Sequence, residues 1–412
     1  MMVLAAVVTV SWACTPPPIP DFPRLEVLPP DPAAVDGVIF LIGDAGAVES
    51  GRSPILADLA ARIEHWSGAI ARDSAVTVAF LGDVVYPVGV RDRGTPGFSA
   101  DSLHLWSQIE LLAGPEARRR GSLGLFLVGN HDWGNMTGEA GVRRLLNLDE
   151  QLAIGRAQGL RVRLIPEAGT PGPGVVDLRH NTRVIALDTH WFLQERSQRE
   201  RDVFLVDFLD AVSTAPDRHL VILAHHPFSS AGEHGSLAPV AGVLGLKYLL
   251  KKSGTLIQDL NSPKYRDLIA RLRTAFTAAE RQPLVFAGGH DHSIQVLEAE
   301  PDREFDPRYQ LVSGAGSKRT PFQDAEGLRW GARNIGYMIL FLLRDEAVQL
   351  FVVTSDSDVL LCPAEPGDER VRCLATERDN FRPQYSSMLS PPRSLPDTTR
   401  TGSPPDSDGG SP

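Results

Sequence analysis

Residues 78–86 read VAFLGDVVY: an apolar run ends at Asp83, and a tyrosine follows three residues later. Short apolar runs of this kind predict buried strands. Four further runs end in the same way, each just before a polar side chain: VIFLI before Asp44, LGLFLV before Asn130, LVILA before His225 and PLVFAG before His290. Because α/β proteins build their sites at the carboxyl ends of strands, we expect these side chains to lie together.

The intervening sequence predicts helices between these strands. Helical patterns cover residues 53–70, 199–212 and 264–279, and the last of them places its apolar side chains on one face. The chain has 412 residues, of which 42% are hydrophobic, so it can bury a large core. Alternating strands and helices predict an α/β layered fold.

The polar residues at the strand ends are of types that bind metal ions. Read as ligands, they form two sets that share one aspartate: Asp44, Asp83, Tyr86 and His292 around one metal, and Asp83, Asn130, His225 and His290 around a second. A shared carboxylate holds two cations about 3.5–4 Å apart, the separation at which both can stabilise the attacking and leaving oxygens of an in-line displacement. Singly, each residue could be a helix cap, a turn residue or a rim aromatic; their ordered combination favours a dinuclear site.

These motifs resemble those of a known family. GDAG, GDVVY, GNHD, AHHP and GHDH are similar to the motifs of the purple acid phosphatase branch of the calcineurin-like metallophosphoesterases, in particular the small tartrate-resistant enzymes. The resemblance covers approximately residues 36–353 and includes the late VSGAGSKR. Gly46 stands where most of the superfamily carries a histidine, and Tyr86 replaces that ligand. The resemblance implies a four-layer fold of two packed mixed sheets flanked by helices.

The charges of the two ligand sets predict different metals. Asp44, Asp83 and a Tyr86 phenolate supply three anions to one cation, whereas Asn130 and two imidazoles supply none to the other. Hard anionic oxygens favour a trivalent ion. We therefore expect iron(III) beside Tyr86 and a divalent ion beside Asn130, which could be iron, zinc or manganese.

Two histidines outside the ligand sets are the expected catalytic residues. We expect a hydroxide, formed from a metal-bound water, to attack phosphorus, with His131 donating a proton to the leaving alkoxide and His234 stabilising the phosphoryl oxygens. Asp132 either orients the His131 imidazole or plays a surface role. His226 either shapes the pocket or binds metal.

The expected activity is hydrolysis of phosphate monoesters at acid pH, with a small phosphorylated substrate. A phosphodiesterase acting on cyclic nucleotides or phospholipid head groups is the first alternative, and a non-catalytic metal-binding or phosphate-binding surface lipoprotein is the second. The formal net charge of −10 argues against nucleic acid as a partner, because phosphate contacts require a basic surface. The sequence leaves the oligomeric state open.

The start of the chain resembles a bacterial lipoprotein leader. Residues 1–13 are apolar and uncharged, Cys14 follows, and a proline-rich stretch comes next. We therefore expect export to the periplasm or cell surface and a membrane link only through a lipid on Cys14. The alternative is a trimmed secretory leader with an incidental cysteine.

The composition divides the chain into five segments. They are a leader, a tether, a metallophosphoesterase domain, a C-terminal extension and a disordered tail, at residues 1–14, 15–35, 36–355, 356–390 and 391–412. The extension contains Cys362 and Cys373, which form either a short disulfide in an oxidising compartment or two free thiols.

Overall fold

Two seven-stranded sheets form the centre of the molecule. The computed structural model describes residues 22, 28–47, 53–178, 181–235, 260–355 and 381–391. Within these residues both sheets are mixed, and helices flank them. The α/β fold class and its arrangement as two packed mixed sheets with flanking helices are therefore confirmed. The predicted leader and all three cysteines lie outside the described residues.

The first sheet has the strand order β14-β13-β12-β1-β2-β3-β4. Strands β1 to β4 are parallel to one another, and β12, β13 and β14 add to β1 in antiparallel fashion. The bounds are β1 Val35–Ile42, β2 Val76–Leu81, β3 Leu123–Leu127, β4 Arg161–Leu164, β12 Gly336–Leu343, β13 Val348–Ser355 and β14 Phe381–Ser390. The last ten residues of the predicted C-terminal extension thus form an edge strand of this sheet.

The second sheet has the order β11-β9-β10-β8-β7-β6-β5. Strands β6, β7, β8 and β10 are parallel, and the outer strands β5, β9 and β11 are antiparallel to their neighbours. The bounds are β5 Gly174–Leu178, β6 Thr182–Ala186, β7 His219–Leu223, β8 Val285–Gly288, β9 Ile294–Glu298, β10 Tyr309–Ser313 and β11 Leu328–Ala332.

Seven α-helices lie in the described residues. They are α1 Pro54–Ala69, α2 Phe98–Ile109, α3 Pro115–Arg119, α4 Gly138–Ala157, α5 Thr189–Leu193, α6 Gln198–Ser213 and α7 Pro263–Ala278. The three predicted helices correspond to α1, α6 and α7 within one or two residues. Ser197 begins α6 with a capping box, and the Ser262 hydroxyl accepts a hydrogen bond from the third residue of α7. None of these helices is long and apolar enough to cross a membrane.

The central strands are buried on both faces, which explains their continuous apolar runs. In β1, Ile39 and Leu41 point between the two sheets, whereas Val38 and Phe40 point toward the helical layer. This alternation follows from the two-residue period of a strand. Trp66 of α1 packs on Phe341 of β12 with ring centroids 4.8 Å apart, so the helix covers the first sheet.

The parallel strands bring the predicted site residues to one edge of the molecule. Asp44 follows β1, Asp83 follows β2 and Asn130 follows β3 in the first sheet. His225 follows β7 and His290 follows β8 in the second. Since these strands are parallel within each sheet, their carboxyl ends lie side by side.

Candidate metal centre

Three of the strand-end residues adopt a backbone conformation that side chains seldom tolerate. Asp44, Asp83 and His290 have φ angles of 58°, 50° and 66°, in the left-handed region. Such residues persist only where the surrounding structure holds them, and they concentrate at functional sites. Here the left-handed conformation turns the backbone sharply after strands β1, β2 and β8.

Tyr86 joins Asp44 and His292 in a first group of donors. The Tyr86 hydroxyl donates to Asp44 Oδ1 at 2.9 Å and lies 3.3 Å from His292 Nε2. His292 Nε2 is 3.4 Å from the same carboxylate oxygen. The other oxygen, Asp44 Oδ2, accepts a hydrogen bond from the backbone N–H of His290 at 2.8 Å, which fixes the carboxylate across the two sheets.

His225 is the centre of a second group, made with Asn130 and His290. Its Nε2 lies 3.1 Å from Asn130 Oδ1 and 3.3 Å from His290 Nδ1. The Asn130 amide is oriented by Asn135, whose side-chain oxygen accepts from Asn130 Nδ2 at 3.2 Å. This bond leaves the Asn130 oxygen facing His225.

Asp83 stands between the two groups. Its Oδ1 accepts from the backbone N–H of His131 at 2.9 Å and lies 3.5 Å from His225 Nε2. One potential ligand atom each from Asp44, Asp83 and His225 lies within 4.8 Å of the others, and all three residues are buried. Asp83 therefore contacts both groups, as a bridging carboxylate would.

The tautomer of His225 tests whether these residues fit a cation. His225 Nδ1 lies 2.9 Å from the Leu81 carbonyl, so it must donate its proton there. In the neutral ring, Nε2 then presents a lone pair toward the oxygens of Asn130 and Asp83. Converging lone pairs repel one another unless a cation lies among them, and metal-binding histidines are commonly held by such a carbonyl. The donor set fits a metal ion.

The electrostatics of the site lead to the same conclusion. Burial opposes the charged form of His225, but the carboxylates of Asp83 and Asp44 outweigh it and raise the pKa of the imidazole. Burial, reinforced by the same carboxylates, raises the pKa of Tyr86 well above its usual value. The carboxylates thus favour a positive charge at His225, which either a proton or a bound cation at Nε2 would supply, and a phenolate at Tyr86 requires a strongly charged cation.

The backbone around Gly46 leaves no room for a side chain at that position. A Cβ at Gly46 would lie 2.3 Å from the Val84 carbonyl carbon and 2.5 Å from the Val85 nitrogen. The Gly46 carbonyl also accepts from the Tyr86 backbone N–H at 3.2 Å. The loop that carries Tyr86 therefore fills the space that a side chain at position 46 would need.

The two predicted catalytic histidines border the same centre. His131 Nδ1 lies 2.7 Å from the Pro87 carbonyl and donates to it, while its Nε2 is 4.0 Å from Asp83 Oδ2. The ring of His234 lies 4.2 Å from that of His290, measured between centroids. The structure thus brings all nine predicted site residues together; their binding of metal and substrate stays a prediction.

Asp132 has neither of its expected roles. Its buried carboxylate accepts from three backbone N–H groups, those of Val84, Val85 and Gly129, at 2.8–3.2 Å. It therefore ties the Asp83 loop to the Asn130 loop, and the Pro87 carbonyl orients His131 instead. Burial and the Asp83 carboxylate raise the pKa of Asp132 to about 8.

His226 lies directly behind the second group. It is fully buried, its Nδ1 is 2.7 Å from the Thr189 hydroxyl, and its ring lies 4.3 Å from that of His290. The Thr189 hydroxyl also accepts from the His226 backbone N–H at 3.1 Å. The His226 Nε2 has no hydrogen-bond partner among the described residues, and one ring nitrogen of His226 lies within 4.8 Å of ligand atoms of His225 and His290, so both of its predicted roles stay open.

One neighbour of the centre carries no role in the sequence interpretation. Lys318, from the VSGAGSKR segment, places its ammonium 3.2 Å from the centroid of the Tyr86 ring. Burial lowers the pKa of Lys318, and the carboxylates of Asp83 and Asp44 oppose that shift. The segment's similarity to the family was the only sequence signal for this residue.

Comparison with known proteins places the fold. No family model and no curated protein matches the sequence. Among solved structures, GAP50, described as the anchor in the inner membrane complex of Plasmodium, matches with a TM-score of 0.51 at 14% identity over 86% of this chain and 89% of its own. PhoD matches with a TM-score of 0.50 at 13% identity over 85% and 69%.

A purple acid phosphatase from yellow lupin (Lupinus luteus) seeds also matches. Its TM-score is 0.48 at 13% identity, over 77% of this chain and 51% of its own. At such identities a structural likeness shows the fold and does not assign an activity. The chain has the fold of GAP50 and PhoD, and its buried aspartates and histidines could hold metal.

The close approach at position 46 predicts that Gly46→Ala damages the centre. The added Cβ must displace the Val84–Val85 backbone, so we expect the free energy of unfolding in urea to fall by about 1–3 kcal/mol and the metal content to fall with it. Gly68→Ala, near the end of α1, is the matched control, because the added Cβ meets only the flexible side chain of Glu116. Unchanged stability and metal content in Gly46→Ala would show that the loop adapts freely.

Proposed function

We propose that this protein is a dinuclear metal-dependent phosphoesterase that hydrolyses phosphate monoesters, of the acid phosphatase type. The observation that carries the proposal is the convergence of two donor groups, one containing Tyr86 and the other Asn130, on the shared Asp83 carboxylate. The motif resemblance supports the iron(III) and divalent ion pair. When bound, the two cations would acidify a water molecule and neutralise charge on the phosphoryl oxygens.

The protein's own residues would bind the substrate and move one proton. His131 donates through Nδ1 to the Pro87 carbonyl, so Nε2 is the nitrogen left to protonate a leaving alkoxide. His234 borders His290 and would contact a phosphoryl oxygen. Asp132 keeps the two ligand-bearing loops at a fixed separation, which limits the cost of ordering them around the substrate.

Two other functions make different demands on the centre. A phosphodiesterase would use the same donors and accommodate a second ester substituent. GAP50, which has this fold, is described as an anchor, so the fold alone does not require catalysis. The complete set of donors in this chain, together with His131 beside Asp83, supports the hydrolase.

The proposed enzyme acts outside the cytoplasm on a small phosphorylated substrate. The apolar stretch before Cys14 and the proline-rich segment after it support export to the bacterial periplasm or cell surface, with a lipid on Cys14 as the anchor. Partition of the full-length protein and of Cys14→Ser between membrane and soluble fractions tests the anchor.

Parallel assays test the reaction. Purified protein with measured metal content should hydrolyse an aryl phosphate monoester faster than the corresponding diester. Asp83→Asn should lose both metals, and its activity should fall by more than about 10²-fold. That loss exceeds the usual effect of replacing a residue that only hydrogen-bonds to a metal ligand. Asp302→Asn, on an exposed loop, is the control. A faster diester reaction would assign the phosphodiesterase; metal without turnover would assign the non-catalytic protein.

The iron assignment predicts a colour. A Tyr86 phenolate on iron(III) should give the oxidised protein a visible charge-transfer absorption, and Tyr86→Phe should abolish it because the hydroxyl is removed. Tyr385→Phe, on the edge strand β14, should leave it unchanged. Absorption spectra taken beside iron analysis measure this. A colourless wild-type protein that contains iron(III) would remove Tyr86 from the ligand set.

The position of His131 predicts a dependence on the leaving group. Alkyl phosphates expel a basic alkoxide and need protonation, whereas activated aryl phosphates do not, so His131→Ala should slow alkyl phosphate turnover by about 10²–10⁴-fold and aryl phosphate turnover much less. His234→Ala should affect both substrates evenly. His65→Ala, on α1, controls for the loss of an imidazole. Equal losses with metal content intact would assign His131 to charge stabilisation only.

A further inference from the structure

Lys318 lies close to the candidate metal centre without an obvious protein partner. Its Nζ is 3.2 Å from the centroid of the Tyr86 ring, and the hydroxyl of that ring donates to Asp44. Among the residues that the structure describes, Lys318 makes no hydrogen bond and no ion pair. Its ammonium group therefore keeps three hydrogen-bond donors beside the centre.

The segment before Lys318 is held firmly against the Asp44 loop. The Ser313 hydroxyl donates to the Leu41 carbonyl at 2.7 Å, and the Gly316 N–H donates to the Gly43 carbonyl at 3.1 Å. Ser317 donates its hydroxyl to the Asp44 carbonyl. The backbone thus delivers Lys318 to one place beside Tyr86, so its position follows from the fold.

A half-buried ammonium needs a counter-charge, and the nearby carboxylates are already engaged. Asp44 accepts from Tyr86 and from the His290 backbone, and Asp83 accepts from the His131 backbone. Both would also be neutralised by cations in the proposed centre. The tyrosine ring offers a weaker attraction, since a cation over an aromatic face gains about 0.5–2 kcal/mol. An anion entering the centre would supply the stronger, charge-assisted partner.

We propose that Lys318 binds a non-bridging oxygen of the substrate phosphoryl group and so makes the centre prefer dianionic monoesters to monoanionic diesters. This inference rests on the proposed function. Above its second pKa of about 6, a monoester carries a second negative charge that Lys318 would compensate, so the preference is expected at a pH above that value. A diester lacks that charge and carries a substituent on the corresponding oxygen, so it gains less from the lysine.

Lys318→Met tests the inference, because methionine keeps an unbranched side chain and removes the charge. The primary measurement is the dissociation constant of inorganic phosphate for the metal-loaded protein, obtained by titration calorimetry. We expect binding to weaken by about 10-fold to 100-fold, as for the loss of a hydrogen bond to a charged group. The kcat/KM of a monoester should fall similarly, mainly through KM, and that of a diester should fall less. Lys318→Arg should restore part of the phosphate affinity.

Lys264→Met is the matched control. Lys264 begins α7 and pairs with Glu195 outside the centre, so its replacement should leave phosphate binding unchanged. Phosphate affinity in Lys318→Met equal to that of the wild type would overturn the inference and leave Lys318 as a partner of the Tyr86 ring. Loss of metal from Lys318→Met would also overturn it, by assigning the lysine to support of Tyr86. Equal losses on monoester and diester would overturn the selectivity.

The same measurements separate this inference from the proposed function. A wild-type protein that binds metal and phosphate without turning over either ester would contradict the hydrolase. A Lys318-dependent phosphate affinity in that protein would still support the lysine as an anion-binding residue. Turnover by the wild type with phosphate affinity independent of Lys318 would support the hydrolase and contradict the lysine's role.

Discussion

Two polar contacts between the sheets hold the strand ends in the arrangement on which the rest of the site depends. The Asp44 carboxylate of the first sheet accepts from the His290 backbone of the second, and the His225 imidazole of the second donates to the Leu81 carbonyl of the first. Each bond is buried, so water cannot replace it without cost. The sandwich core positions the sheets approximately, and these bonds fix the side chains that face the centre.

Much of this arrangement could be predicted from the sequence because its signals are local. Buried parallel strands need continuous apolar runs. Polar residues such as Asp83 and Asn130 directly follow these runs, and structural roles alone give little reason for such an ordered series. The helices α1, α6 and α7 follow from one-sided apolar spacing. Because each donor follows a parallel strand, the sequence already predicts that the donors lie together.

The remaining features depend on contacts that no local pattern encodes. The partner of His131 is a backbone carbonyl, and Asp132 binds three backbone N–H groups, two from the Asp83 loop and one from its own loop. Strand β14 reads FRPQYSSMLS, without an apolar run, and its Pro383 is tolerated because this is an edge strand with an irregular register. Lys318 gains its place through the bonds of the residues before it, which only the folded chain brings to Asp44.

The distribution of the donors over both sheets links metal binding to the stability of the folded chain. No single hairpin or helix contains a complete ligand set, because Asp44, Asp83 and Asn130 belong to one sheet while His225 and His290 belong to the other. Parting of the sheets would then break the ligand sets of the proposed cations, so bound cations would oppose unfolding. Cations that bind only the folded chain would raise its stability in proportion to their affinity and concentration.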